Sequence, residues 1–242
     1  PMDLPGVTGG DRLDIELPAV QRNFLNALKA AGKKVVYVNC SGSAMALTPE
    51  TKSCEAILQA WYAGEQGGNA VADVLFGDYN PSGKLPVTFY RNTKQLPDYK
   101  DYSMKGRTYR YFNDALFPFG YGLSYTKFEV SNGKFDADKG LFTADVKNIG
   151  AKNGTEVVQI YIRRCDDTDG PLKSLRAYQR VDVAAGKTVD ANIKLEKSDF
   201  ELFDTETNTM RAKPGKYEIL YGTSSRSEDL KSLEINLTQK VH

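Results

Sequence analysis

Histidine is nearly absent from this sequence, because the only one among 242 residues is His242, the last. Ser-His-Asp and Cys-His catalysis, and metal sites that rely on imidazole, are therefore nearly excluded. The cysteines are an odd number at unrelated spacings, which indicates neither a disulfide framework nor a zinc site, and we expect small buried thiols. They are Cys40, Cys54 and Cys165. Catalysis would have to use carboxylates, Tyr, Lys or a cofactor, and no cofactor motif is found.

Long apolar runs and an excess of one charge are also missing. Lys plus Arg total 32 and Asp plus Glu total 31, so there is no basic field to attract nucleic acid. No stretch approaches the roughly 18 uninterrupted apolar residues that a membrane helix needs. The segment Pro1–Pro5 lacks the basic start and apolar centre of a signal peptide. It has the composition of a loop, and we expect a chain that starts inside a loop to be a fragment.

The first half of the chain alternates helical and strand-like patterns. The segments are 18–32 (helix), 35–38 (strand), 56–61 (strand or helix), 69–76 (helix) and 85–89 (strand). This order predicts a mostly parallel α/β layer. About three strands are fewer than such a layer usually contains, so missing strands are expected upstream of Pro1.

The second half predicts an all-β sandwich. Residues 91–126 are rich in Tyr, Phe, Gly and Pro and have little periodicity, which favours a long ordered connector. From residue 127 onward, short alternating runs are separated by turns, and about six to eight strands are expected there. The predicted domains are 1–90 (part of an α/β sandwich domain), 91–126 (connector) and 127–242 (an immunoglobulin- or fibronectin type III-like sandwich).

Acidic residues near the N-terminus are candidates for a sugar site, since hydrolysis of a glycosidic bond usually needs two carboxylates. Asp11 and Arg12 follow two glycines and are candidates for the rim of such a site. The alternative is an ion pair that orders the start of the first helix, which acidic residues stabilise anyway. Glu65 precedes the predicted helix at 69–76, where a lone acid is more often a partner of the helix dipole than a general acid.

Two loops have a superficial likeness to other kinds of site. Gly67 and Gly68 are not followed by the Lys-Ser/Thr pair of a phosphate loop, and no Gly-x-Gly-x-x-Gly frame is present. The run Asp-Asp-Thr-Asp-Gly at 166–170 does not place oxygen ligands at the alternating positions of a calcium loop. We therefore predict no metal site, and a solvated hairpin turn at 166–170.

Aromatic side chains are concentrated between residues 99 and 125, and Trp61 lies upstream of them. Aromatic faces suit the apolar C–H faces of pyranosides, but large aromatic areas are also typical of a buried interface between two layers. We expect most of these rings at the interface between the α/β part and the sandwich, and one or two near a sugar site. Trp61 and Tyr109 are the candidates for the rim of that site.

Five ordered motifs resemble those of family 3 glycoside hydrolases. They are GGDR with LPAVQ (9–21), WYAGEQGG with ADVLFG (61–77), NPSGKLPVT (80–88), YRYF (109–112) and FPFGYGLSY (117–125). The strands that follow resemble the fibronectin type III-like domain at the C-terminus of that family. The resemblance implies a retaining, exo-acting β-glucosidase or β-xylosidase as the intact enzyme, with terminal residues of plant-type oligosaccharides or aryl β-glycosides as substrates. Such enzymes are commonly exported, which implies a periplasmic or extracellular location.

The catalytic pair implied by the resemblance has no matching position here. In the family, a (β/α)₈ barrel supplies an Asp nucleophile, and a Glu acid/base lies shortly before the Gly-x-Asp-Arg stretch. The eight residues before Gly9 contain Asp3 and no Glu, and the family's Gln-Glu pair is inverted as Glu65-Gln66. No catalytic residue is therefore assigned. We expect the chain to be inactive alone and to need the barrel, on the same chain or a second one; the alternative is a non-catalytic carbohydrate- or partner-binding sandwich.

Overall fold

A computed structural model describes residues 14–98 and 100–237. The α/β part contains α1 (Ala19–Ala30), β1 (Val36–Asn39), α2 (Glu50–Ser53), β2 (Ala56–Gln59) and α3 (Gly67–Phe76). The two strands pair in parallel, with Val36 opposite Ala56 and Asn39 opposite Gln59, so the predicted parallel α/β layer is confirmed. The ambiguous run at 56–61 is a strand that ends at Gln59.

The strand expected at 85–89 does not join this layer, so that prediction is wrong. The segment is extended but turns toward the connector: Leu85 N donates to Tyr121 O at 2.8 Å, and Phe89 N donates to Phe117 O at 2.9 Å. Only an isolated antiparallel bridge forms, between Phe89 and Phe117. Pro86 has no N–H to contribute, which is one reason that a continuous ladder does not develop.

The rest of the connector contains a 3₁₀ turn (Thr93–Gln95) and one short helix, α4 (Thr108–Tyr111). It crosses the outer face of the sandwich and is held there by buried hydrogen bonds. Gln159 Nε2 donates to Gly120 O at 3.0 Å, and Ser225 N and Oγ both donate to Phe119 O, at 3.0 and 2.7 Å. The connector and the sandwich therefore share one packed junction.

The sandwich begins at Phe128. Its strands are β3 (Phe128–Asp136), β4 (Leu141–Asn148), β5 (Gly154–Arg164), β6 (Ser174–Val183), β7 (Thr188–Lys194), β8 (Leu202–Asp204), β9 (Thr209–Arg211), β10 (Gly215–Gly222) and β11 (Leu230–Leu237). One sheet has the order β11-β10-β5-β6 and the facing sheet the order β3-β4-β7, while β8 and β9 form a separate hairpin. The α/β part followed by an all-β sandwich is the predicted fold class.

The core of the sandwich comes from alternating positions that point inward from both sheets. Phe142 and Val146 of β4 face Val158 and Ile160 of β5, and all four are fully buried. Tyr161 on β5 is also fully buried although it points the other way, because the connector covers that face. Strand β5 is consequently buried on both faces around Ile160 and Tyr161.

The carboxylate of Asp204, at the end of β8, is expected to stabilise the fold in a way that is lost in acid. Its side chain is buried and accepts hydrogen bonds from Lys213 Nζ at 2.9 Å, Thr207 Oγ1 at 3.0 Å and Arg211 Nη1 at 3.3 Å. The hydrogen bond from Lys213 is the main cause that lowers the pKa of Asp204 to about 2. Because the unfolded carboxyl titrates near ~3.9, this stabilisation is present above about pH 4 and is lost as the pH falls toward 2.

We therefore expect Asp204→Asn to lower Tm at neutral pH and to remove part of the acid sensitivity. The difference in Tm between the wild type and the variant should be constant above about pH 5 and should shrink between about pH 4 and pH 2. Thermal melts followed by circular dichroism across this range measure the difference. The exposed Asp138→Asn is the matched control. A difference between the Asp204 variant and the wild type that does not change with pH would contradict the assignment.

Candidate functional site

The candidate site lies at the carboxyl edge of the two parallel strands. Because β1 and β2 run in the same direction, the loops after them, residues 40–43 and 60–66, emerge side by side. Ligands of open α/β sheets bind in the crevice outside the carboxyl ends of the strands. The second loop leads directly into α3, so the edge brings together two loops and the start of a helix.

A buried polar network forms the base of this edge. Asn39 is 2% exposed; its Nδ2 donates to Gln59 Oε1 at 2.6 Å and to Ser41 Oγ at 3.1 Å, and its Oδ1 accepts from Tyr37 Oη at 2.9 Å. Gln59 Nε2 also donates to Ser41 Oγ, at 3.2 Å. Burial raises the pKa of the Tyr37 hydroxyl, which keeps it a proton donor. The side-chain amides of Asn39 and Gln59 thus use their hydrogen-bonding groups within this network. The network therefore orients both loops rather than offering free polar groups to a ligand.

Trp61 is held at this edge in a strained conformation. Its φ is 56°, in the left-handed region that a bulky residue rarely adopts, at a cost of about 1–2 kcal/mol. The half-buried ring packs edge-on against Phe89 with 6.1 Å between centroids, and Phe89 is 1% exposed. Phe89 in turn packs edge-on against Phe117 at 6.3 Å. Backbone strain of this kind persists only where the surrounding packing fixes it, and it clusters at functional sites.

Tyr62 is the aromatic residue of this edge that sequence reasoning missed. Its side chain is 78% exposed, whereas Trp61 beside it is half-buried. The motif WYAGEQGG was interpreted as a family signature, and only its tryptophan was considered as a platform. The available signal was that Tyr62 is an aromatic residue directly next to Trp61.

Tyr109 lies in a different place, at the junction between the connector and the sandwich. Its ring is stacked on Phe119 with 4.4 Å between centroids and meets the edge of Tyr161 at 5.6 Å. Its hydroxyl oxygen accepts a hydrogen bond from Leu175 N at 3.0 Å. The structure thus joins Tyr109 to the sandwich rather than to Trp61, which favours the interface interpretation for this ring. Asp11 and Arg12 lie outside the described residues.

Two carboxylates of the α/β part each have a structural partner. Glu50 is 1% exposed and accepts from Arg22 Nε at 3.0 Å, while Glu16 accepts from Thr93 N and Oγ1. Burial raises the pKa of Glu16, but the hydrogen bonds from Thr93 outweigh it and the net pKa is lowered.

Five described carboxyl groups have a pKa that differs clearly from the ordinary value, and in each of them the pKa is lowered. They are Glu16, Asp101, Asp136, Asp166 and Asp204. A general acid for glycoside hydrolysis needs a raised one. Glu65 is exposed at the start of α3. The carboxyl groups with a lowered pKa are therefore unsuited to the role of general acid.

Metal and thiol chemistry receive little support from the geometry. Within residues 14–98 and 100–237, no group of three or more His, Cys, Asp or Glu side chains lies close enough together to hold a metal ion. The loop at 166–170 turns back on itself, with Gly170 N donating to Asp167 Oδ1 at 2.9 Å. The expectation of buried thiols is wrong for Cys40, which is exposed, and Cys54 and Cys165 are half-buried. No described helix is long and apolar enough to cross a membrane.

Comparison with known proteins identifies the family. The sequence profile of the glycosyl hydrolase family 3 C-terminal domain matches residues 6–125, and that of a fibronectin type III-like domain matches residues 156–225. The chain belongs to glycoside hydrolase family 3. All five motifs from GGDR to FPFGYGLSY fall within or directly beside the first matched range, so the resemblance seen in the sequence is confirmed.

Family 3 relatives match nearly the whole chain. A protein named xylan 1,4-beta-xylosidase from Xylanibacter ruminicola is 67% identical over 98% of this chain and 28% of its own length. A periplasmic beta-glucosidase from Salmonella typhimurium is 39% identical over 93% of this chain and 32% of its length. Among solved structures, the beta-glucosidase of Kluyveromyces marxianus superposes with a TM-score of 0.83 at 34% identity, over 95% of this chain and 29% of that one. The chain thus spans about a third or less of the length of these family 3 proteins.

Proposed function

We propose that this chain is part of a retaining exo-β-glycosidase that removes terminal β-D-xylosyl residues from xylan-type oligosaccharides and aryl β-xylosides. The observation that carries the proposal is the 67% identity, over 98% of the chain, to a relative named xylan 1,4-beta-xylosidase. The beta-glucosidase from Salmonella typhimurium matches at 39%. This difference in identity favours a xyloside over a glucoside as the preferred substrate, within the β-glucosidase or β-xylosidase activity that the motifs imply.

Within that enzyme, the chain supplies the rim of the sugar site and not the catalytic pair. The family's acid/base Glu has no matching position before Gly9, so the nucleophile and the acid/base belong to other parts of the longer protein, the former to the barrel. Asp11, Arg12 and Trp61 are kept as rim residues, Trp61 because of its position at the carboxyl edge and its strained backbone. Tyr109 is assigned instead to the junction with the sandwich.

The proposed domains are 1–90, 91–126 and 127–242, with the first completed by further chain in the longer protein. Exposed apolar residues on its helices support this completion. Val20 and Phe24 of α1 are 75% and 63% exposed, Phe76 of α3 is 84% exposed, and α3 contains no buried residue. An amphipathic or apolar helix is stable when its apolar face is covered. A periplasmic or extracellular location is proposed on the likeness to the relative named periplasmic.

The test compares the purified chain with the full-length protein. We expect the chain of 242 residues to give no turnover of nitrophenyl β-xyloside or β-glucoside. The full-length protein should hydrolyse the xyloside with a kcat/KM at least about tenfold above that for the glucoside, because rejecting one extra hydroxymethyl group is a discrimination of this size. Turnover by the chain alone, or a preference for the glucoside, would contradict the proposal. Retardation of the chain in a xylan gel, with no hydrolysis by the full-length protein, would favour the binding-module alternative.

A further inference from the structure

An exposed aromatic ring, that of Tyr62, lies at the carboxyl edge of the sheet. Tyr62 is 78% exposed and follows Trp61, which is half-buried and has a φ of 56°. Trp61 packs edge-on against the buried Phe89 and so anchors this point of the loop. The side chain of Tyr62 is therefore exposed on a part of the 60–66 loop that the packing of Trp61 holds in place.

The other loop of the same edge supports the Tyr62 ring from behind. A Cβ added at Gly42 would lie 2.7 Å from Tyr62 Cε2 and 3.3 Å from Cδ2, closer than a Cβ atom can approach. The ring therefore rests against the backbone of the 40–43 loop, and glycine at position 42 is what allows it. The loop itself is fixed by the network of Asn39, Ser41 and Gln59 beneath it.

We propose that Tyr62 is a substrate-contacting residue that packs its exposed ring against the C–H face of a pyranose, with Trp61 as its anchor and Gly42 as its support. A preorganised ring binds without losing side-chain freedom, because both neighbouring contacts already restrict it. Tyr102 is 90% exposed in the connector and lacks such support, so exposure alone does not distinguish Tyr62. The assignment rests on the proposed glycosidase function, whose site lies at this edge.

The test uses the full-length enzyme with xylobiose as substrate. Tyr62→Ala should raise KM about tenfold with kcat changed less than about twofold, since a contact made equally in the ground and transition states affects binding alone. Tyr62→Phe keeps the ring and should stay within about threefold of the wild type in KM. Tyr102→Ala is the matched control for removing an exposed tyrosine, and its KM should equal that of the wild type.

A double-mutant cycle with Gly42→Ala makes the test independent of folding losses. An added methyl group at position 42 should displace the ring and raise KM severalfold, and this effect should disappear when Tyr62 is already Ala. Additive effects of the two substitutions would overturn the inference, as would a KM of Tyr62→Ala within twofold of the wild type. A lowered Tm with unchanged KM would identify Tyr62 as a packing residue and would also overturn it. Hydrolysis of xylobiose by the wild type tests the proposed function separately, so the two failures are distinguishable.

Discussion

Replacing Glu156 with Leu is expected to lower the free energy of unfolding by about 3–5 kcal/mol, because it leaves the Lys84 ammonium in a nearly closed site without its partner. Lys84 Nζ lies 2.7 Å from Glu156 Oε1, and the two side chains are only 13% and 9% exposed. Lys84 belongs to the motif NPSGKLPVT of the α/β part, whereas Glu156 lies on β5. The pair therefore joins the α/β part to the sandwich across the junction.

The matched control replaces both partners. Lys84→Met together with Glu156→Leu removes both charges and keeps the apolar bulk, so most of the lost stability should return. Urea denaturation of the wild type, the single variant and the double variant measures the differences. If the single variant loses less than about 1 kcal/mol in free energy of unfolding, the pair contributes no more than an exposed ion pair does, which would contradict the assignment. A double variant that is no more stable than the single one would do so as well.

The sandwich was the part of the fold most open to prediction from the sequence. Its strands have one face on the core and one on the surface, so runs such as 141–146 and 189–195 alternate clearly, and they match β4 and β7. Strand β3 is harder to predict because its pattern is broken by a shift in register between Ser131 and Lys134. The hairpin of β8 and β9 is harder to predict because three-residue strands are too short to show a period.

The candidate site was less predictable, because its geometry depends on contacts between distant segments. The composition of residues 85–89 is that of a strand, but the segment forms its backbone hydrogen bonds with the connector at 117–121. No local sequence pattern indicates this pairing. Tyr109 was a candidate for the rim of the sugar site by residue type alone, and the sequence does not show that its ring stacks on Phe119. The difference in exposure between Trp61 and Tyr62 likewise depends on a contact between distant segments, because only Trp61 packs edge-on against Phe89.

A second large effect is expected at Gly120, in the motif FPFGYGLSY. Gly120 has φ of 77°, and an added Cβ would overlap Gln159 Oε1, 2.9 Å from Gln159 Cδ and 3.0 Å from Tyr161 Oη. Gln159 is 3% exposed and donates from Nε2 to Gly120 O at 3.0 Å and to Thr223 O at 2.7 Å, while its Oε1 accepts from Tyr161 Oη at 2.5 Å. Gly120→Ala should therefore lower the free energy of unfolding by about 2–5 kcal/mol, through backbone strain and overpacking together.

Gly186→Ala separates these two causes. Gly186 has a similar φ of 70° in the turn before β7, but nothing lies within 4 Å of an added Cβ, so only the backbone cost of about 1 kcal/mol is expected there. The excess at Gly120 then measures the packing of the connector against β5, and Gln159→Ala in the same chain should reduce that excess by making room for the methyl group. Equal losses at the two glycines in urea denaturation would mean that the connector can move away from β5 at little cost.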